Sequence, residues 1–79
     1  MTEHEAVTLA VKVLGGQSST AKKLTERMGR KIAQSHVYNW LNRDKRLPER
    51  YALHVEALTR QEGTEVKASD LCHAMFSIA

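Results

Sequence analysis

Glycine and proline cut this chain at Gly15-Gly16, Gly29, Pro48 and Gly63. Between the cuts, apolar residues recur three and four apart, the spacing that lines one face of a helix. No alternating run is long enough to build a sheet. The expected fold is all-α, a compact bundle of five short helices. Its 79 residues are expected to form a single domain, 1–79, with the core over about 3–62 and a short C-terminal helix and tail over 64–79. A chain of this size is near the limit at which one core suffices without a metal, disulfides or a partner chain.

The first helix is expected over Thr2–Leu14. Thr2 and Glu5 match a capping box, and Ala6, Leu9, Ala10, Val13 and Leu14 form its apolar stripe. The second covers Gln17–Met28, with Ser18 or Ser19 available as N-cap and Ala21, Leu24 and Met28 facing inward. Gly29-Arg30-Lys31 supplies a turn, and a third helix runs from about Ala33 to Arg43. Its apolar face holds Ile32, Val37, Trp40 and Leu41, which assigns Trp40 to the core rather than to stacking on a base. Asn42 to Arg46 is a polar, basic loop. Leu47-Pro48 opens the fourth helix, with proline at the first helical position, and Leu53, Val55, Ala57 and Leu58 as core contributors. That helix ends near Gln61-Glu62-Gly63. Thr64–Lys67 reads as extended or as a linker, and a last helix is expected over about Ser69–Met75, with Ser69 and Asp70 at its start.

Charge is unevenly placed. Between Lys22 and Arg50 nine basic residues less three acids leave +6, whereas Lys12, Arg60 and Lys67 less six acids leave −3 elsewhere. A basic centre between acidic ends points to a localised polyanion-binding face, the alternative being a solvated surface helix and loop. A hydrophobic content of 42% argues against wholesale disorder. Cys72 is the lone cysteine, so no intrachain disulfide forms, and with no signal peptide or long apolar run the default setting is reducing and cytoplasmic, with no membrane partner.

The central stretch combines these features. Two helices joined by a turn, the second offering polar groups at its N-terminal end, make a helix-turn-helix. Gln34 is the strongest base reader, because glutamine can pair with adenine through two hydrogen bonds. Ser35 is less selective. Tyr38 and Asn39 follow one turn on, Asn39 for a base or a phosphate and Tyr38 for a phosphate or a thymine methyl. The N-terminus of the second helix suits a phosphate, with Gln17 and Ser18 there and Lys22 on the outward face; Gln17 as a plain cap is the rival reading. Lys31, Arg43, Lys45, Arg46 and Arg50 are placed for the DNA backbone, where they add affinity without reading sequence.

Gly15-Gly16-Gln17-Ser18, Ile32 to Trp40, Leu47-Pro48 and Val55-Glu56-Ala57-Leu58-Thr59 together resemble the Cro-like helix-turn-helix family of phage and bacteria, which includes the Cro repressors and the YdaS-type antitoxin regulators. The resemblance covers roughly residues 6–71. It implies a lambda-repressor-like fold, a homodimer on a palindromic double-stranded DNA operator, and transcriptional control, usually repression. By resemblance the base-contacting positions fall on Gln34, Ser35 and Tyr38, and the phosphate position on Gln17. The chain departs from the family in two places. Seven residues separate Leu24 from Ile32 where the family has a Leu-Gly-Val-Ser turn, so the second helix or the turn is longer by about two helical turns. Ala33 replaces the usual serine cap, which leaves the start of the third helix open between Lys31 and Ser35.

An enzyme requires convergent reactive groups, and His4, His36, His54 and His73 have no carboxylate or cysteine at a catalytic spacing. Cys72 and His73 point different ways on a helix, which argues against a zinc site; no cofactor and no small-molecule ligand is expected. His36 would strengthen DNA binding on protonation if it lay beside the groove, and is otherwise an exposed or partly packed histidine. The rival function is a protein-interaction or antitoxin-like module whose basic face meets an acidic partner. The apolar tail Leu71–Ile78, with Met75 and Phe76, is expected to contribute to dimerisation.

Overall fold

The structure, a computed structural model, describes residues 1–73. It has five helices in chain order: α1 Glu3–Val13, α2 Gln17–Met28, α3 Gln34–Asn42, α4 Glu49–Gln61 and α5 Ala68–Leu71. No strand occurs among the described residues, as the helical periodicity requires.

Local chemistry fixes the boundaries. At the start of α1 the Glu5 N–H donates to Thr2 Oγ1 at 3.1 Å, and the Thr2 N–H donates to Glu5 Oε1 at 2.9 Å, the reciprocal bonds of a capping box. Gly16 then adopts φ 104°, ψ 179°, a conformation essentially closed to residues with a Cβ. Its carbonyl accepts both the Thr20 N–H and the Thr20 hydroxyl. α2 therefore starts at Gln17 with Gly16 as its cap and no side-chain cap bond. Ser18, expected as a cap candidate, lies inside the helix with its hydroxyl turned elsewhere. Gly29 closes α2 in the left-handed conformation at φ 70°.

The core gathers Ala6, Val7 and Ala10 of α1 with its cap residue Leu14, Leu24 of α2, Val37 and Trp40 of α3, and Val55 and Leu58 of α4, with Ile32, Leu47, Val66 and Leu71 from the connections and α5. Trp40 is 4% exposed, and its ring packs against Tyr51 of α4 with centroids 4.9 Å apart. Thr20 and Thr59 are the buried polar side chains, and both are satisfied. Thr59 donates to the Glu56 carbonyl and accepts the Val66 N–H at 2.9 Å, while a Glu56 carboxylate oxygen accepts the Ala68 N–H at 2.8 Å. These bonds lace residues 62–68 back onto α4. The Leu47 N–H donates to the Leu71 carbonyl, tying the loop before α4 to α5.

Several sequence expectations are corrected. The inward stripe of α1 is rotated: Val7 and Val11 are buried, and Leu9 and Val13 only half-buried. On α4 the buried residues are Ala52, Val55, Leu58 and Thr59. Leu53 is 58% exposed, because at about 100° per residue it falls on the side of the helix opposite Val55 and Leu58, and Ala57 is half-buried. Pro48 occupies the cap position, with ψ 143°, and the helix begins at Glu49. α5 is shorter than expected: Ser69 and Asp70 lie within it, and Cys72 is extended (φ −145°, ψ 104°). Leu71 is wholly buried, so it packs within the chain and not on a partner. The expected tail residues Met75, Phe76 and Ile78 lie outside the described residues.

Candidate nucleic-acid interface

α2 and α3 form the most extensive helix pair in the fold, and one side chain sets the connection between them. Thr25 Oγ1 donates to the Ala21 carbonyl at 2.8 Å and accepts the Ile32 N–H at 2.9 Å. The long segment noted in the sequence is thereby absorbed. α2 runs four residues past Leu24, Gly29 reverses the chain, and Thr25 captures Ile32 just before α3 begins. Nothing in the sequence pattern marks Thr25 for this task, because a threonine mid-helix reads as an ordinary surface residue.

The start of α3 falls at Gln34, with Ala33 as its cap residue. Alanine has no acceptor to offer the free N–H groups of the first turn. Half of the missing cap is supplied from the other side, since His36 Nδ1 accepts the Ala33 N–H at 3.1 Å. His36 thus stands where a capping box places Glu or Gln. The bond requires an unprotonated Nδ1, so the proton of the neutral ring sits on Nε2. His36 is exposed.

The four expected base readers occupy α3 as its periodicity requires. Val37 and Trp40 are buried, whereas Gln34, Ser35 and Tyr38 are exposed, Tyr38 at 55%. Asn39 is half-buried, and its carbonyl accepts the N–H groups of Arg43 and Asp44, so it anchors the end of the helix. Gln34 is not loose. Its Oε1 accepts the Ser18 hydroxyl at 2.9 Å across the α2–α3 junction. That bond orients the Gln34 amide and leaves its NH2 free to donate outward. Gln17 is the first helical residue of α2 and half-buried.

The expected phosphate-binding cations Lys22, Lys31, Arg43, Lys45, Arg46 and Arg50 are all exposed. Five ion pairs form among the described residues, and most use other bases: Lys23 with Glu62, Arg60 with Glu56 and Glu65, and Lys67 with Glu65. Hydrogen bonds to Arg60 and Lys67 hold the Glu65 carboxyl below its ordinary range, and Glu65 in turn raises both bases. Only Arg43 of the candidate cations has an acid beside it, Asp44 at 3.4 Å. Glu56, Glu62 and Glu65 thus take up bases outside the candidate set, and Lys22, Lys31, Lys45, Arg46 and Arg50 keep no ion-pair partner among the described residues. Lys45 has φ 55°, a left-handed conformation unusual for lysine. Arg50 lies over the Tyr51 ring, 5.6 Å from its centroid.

No group of three or more histidine, cysteine, aspartate or glutamate side chains converges to hold a metal among the described residues, and no helix there is long and apolar enough to cross a membrane. Comparison with known proteins finds no matching family, no similar characterised protein and no similar solved structure.

Proposed function

We propose that the protein is a sequence-specific double-stranded DNA-binding regulator, a Cro-type repressor in its resemblance, whose α2 and α3 act as a helix-turn-helix with α3 in the major groove. One observation carries this reading. α3 buries one stripe and turns Gln34, Ser35 and Tyr38 outward, and of the six candidate cations all but Arg43 lack an ion-pair partner among the described residues. A surface helix serving only the fold has no need of that charge, and a helix in the major groove uses both parts of it.

The roles follow from position. Gln34 reads an adenine edge, oriented by Ser18. Ser35 and Tyr38 contact neighbouring bases or a thymine methyl, and Asn39 sets the end of the helix. The uncapped N–H groups of α2 with Gln17, and the side chains of Lys22, Lys31, Arg43, Lys45 and Arg46, take phosphates. Each phosphate contact releases counterions and adds about 0.9 to the slope of log affinity against log salt.

Titration with a preferred duplex and with bulk DNA tests the assignment. Gln34→Ala lowers the preference for the first, by roughly tenfold to a hundredfold for a lost base contact, and leaves bulk binding and the salt slope unchanged. Ser18→Ala produces a smaller loss of the same kind. Equal losses on every sequence would move Gln34 to the phosphate-binding group. An absence of any preference in the unaltered protein would favour the rival reading, a basic face for an acidic protein partner.

A further inference from the structure

Gln34, Ser35 and Tyr38 serve the reading of α3, and His36, exposed among them, is left without a part in it. Its ring is already committed at one edge. Nδ1 accepts the Ala33 N–H at 3.1 Å, which fixes the tautomer and leads the Nε2–H away from the backbone that the residue caps. That N–H has no acceptor among the described residues. We propose that His36 donates it to a DNA phosphate, on the side of the major groove opposite the one that α2 grips. The inference rests on the reading of α3 as the groove helix.

Position on the helix selects the ligand. At about 100° per residue, His36 stands about 200° round α3 from Gln34, and Arg43 about 180°. Gln34 marks the flank turned to α2, through its bond with Ser18, so His36 and Arg43 share the flank turned away from α2. A helix with its side chains is about 10–12 Å across, and the major groove is about 12 Å wide. The two flanks of a helix seated there therefore face the two sugar–phosphate walls. A phosphate offers only acceptors. It suits an N–H and not a ring nitrogen with a lone pair, and the Ala33 bond keeps that lone pair turned to the protein. Arg43 has Asp44 beside it at 3.4 Å, so His36 brings this flank a donor that no acid engages. The donor is neutral in this tautomer. It holds a phosphate without neutralising it, and so without the release of counterions that a lysine contact brings.

Titration of a mixed-sequence duplex, and of a duplex selected from a random pool, at several salt concentrations tests the contact. Asparagine puts its amide oxygen near the place of Nδ1 and is too short to reach the place of Nε2, so His36→Asn keeps the cap and drops the donor. It is expected to weaken binding roughly threefold to tenfold on both duplexes, with salt slope, helix content and melting temperature unchanged. Glutamine reaches farther and carries an N–H near the place of Nε2, so His36→Gln is expected to recover most of the loss. A His36→Asn protein that binds as the unaltered one does overturns the proposal. So does a loss confined to the selected duplex, which makes His36 a base reader, or a fall of about 0.9 in the salt slope, which makes it a cation. A His36→Gln protein that folds but binds no better than His36→Asn also overturns it, because the residue would then serve the fold alone. The unaltered protein separates the two claims. If it binds no duplex, the reading of α3 fails and this contact with it, whereas a firm binder indifferent to His36→Asn loses only this contact.

Discussion

Thr25→Val should loosen the joint between α2 and α3, and the size of the effect can be worked out from the structure. Valine matches threonine in shape and in helix propensity, so the substitution removes a hydroxyl and little else. The bond to the Ala21 carbonyl is expendable, since that oxygen keeps its helical partner. The Ile32 N–H is different. It sits beside a buried side chain and has the Thr25 oxygen, 2.9 Å away, as its acceptor. A buried backbone donor left without a partner costs about 1–3 kcal/mol. Thr25 is half-buried, so water relieves part of the cost, and about 1–2 kcal/mol is expected. For a domain of this size that corresponds to a fall in Tm of roughly 5–15 °C. Urea and thermal unfolding followed by circular dichroism and Trp40 fluorescence would measure it. Thr25→Ser keeps the hydroxyl and should lose less than half as much. A Thr25→Val protein as stable as the original, or one no less stable than Thr25→Ser, would refute the role given to this hydroxyl.

Three further outcomes are expected. Ala33→Ser supplies the acceptor that the start of α3 lacks and should stabilise the fold by about 1 kcal/mol, read as a higher urea midpoint at unchanged slope. The Glu5 carboxyl is held below its ordinary range by the hydrogen bonds with Thr2, backbone first and hydroxyl second. A lowered folded-state value stabilises above the unfolded carboxylate value of about 4.3 and loses that contribution as pH falls through the folded value. Glu5→Gln, which still accepts the Thr2 N–H but carries no charge, should therefore flatten the acid limb of stability against pH by lowering neutral stability toward the acid value, as urea unfolding at several pH values would show. Lys45→Gly removes a cation and relieves a positive φ of 55°; it should reduce the salt slope of DNA binding by about 0.9 with no loss of stability, as titrations at several salt concentrations and a thermal melt would show.

Much of the fold was legible because glycine, proline and the capping residues act locally. The limits of α2, the Thr2–Glu5 box and the buried Val37–Trp40 stripe all follow from neighbours within one or two turns. The phase of α4 was not legible. Ala52, Leu53, Val55, Ala57 and Leu58 are all apolar and cover more than one stripe, so periodicity alone cannot select which side faces in. The core completes that side with Thr59, a residue whose polarity argues against burial until its bond to Val66 is seen. Leu71 could not be placed from its polarity alone for a related reason. Apolar Leu71 suggested an assembly surface, yet α5 stops there and turns Leu71 into the core. In the candidate interface, the exposed polar positions of α3 were visible in the pattern. The bonds that hold them were not: Ser18 to Gln34 spans 16 residues, and Thr25 to Ile32 bridges a turn whose length alone does not say which element absorbs it. Nor was the His36 bond to the Ala33 N–H, since the sequence offered His36 only as a residue beside the groove or as an exposed or partly packed histidine.

Selection of bound duplexes from a random pool, run in parallel on the unaltered protein and on Gln34→Ala, tests the central claim most directly. The expected product is a palindrome with half-sites about one helical turn apart, in which Gln34→Ala loses its preference at an adenine of each half-site and keeps the remaining bases. A pool that emerges unenriched although the protein binds DNA at low salt would contradict it, and would leave the basic face as a binder of charge alone.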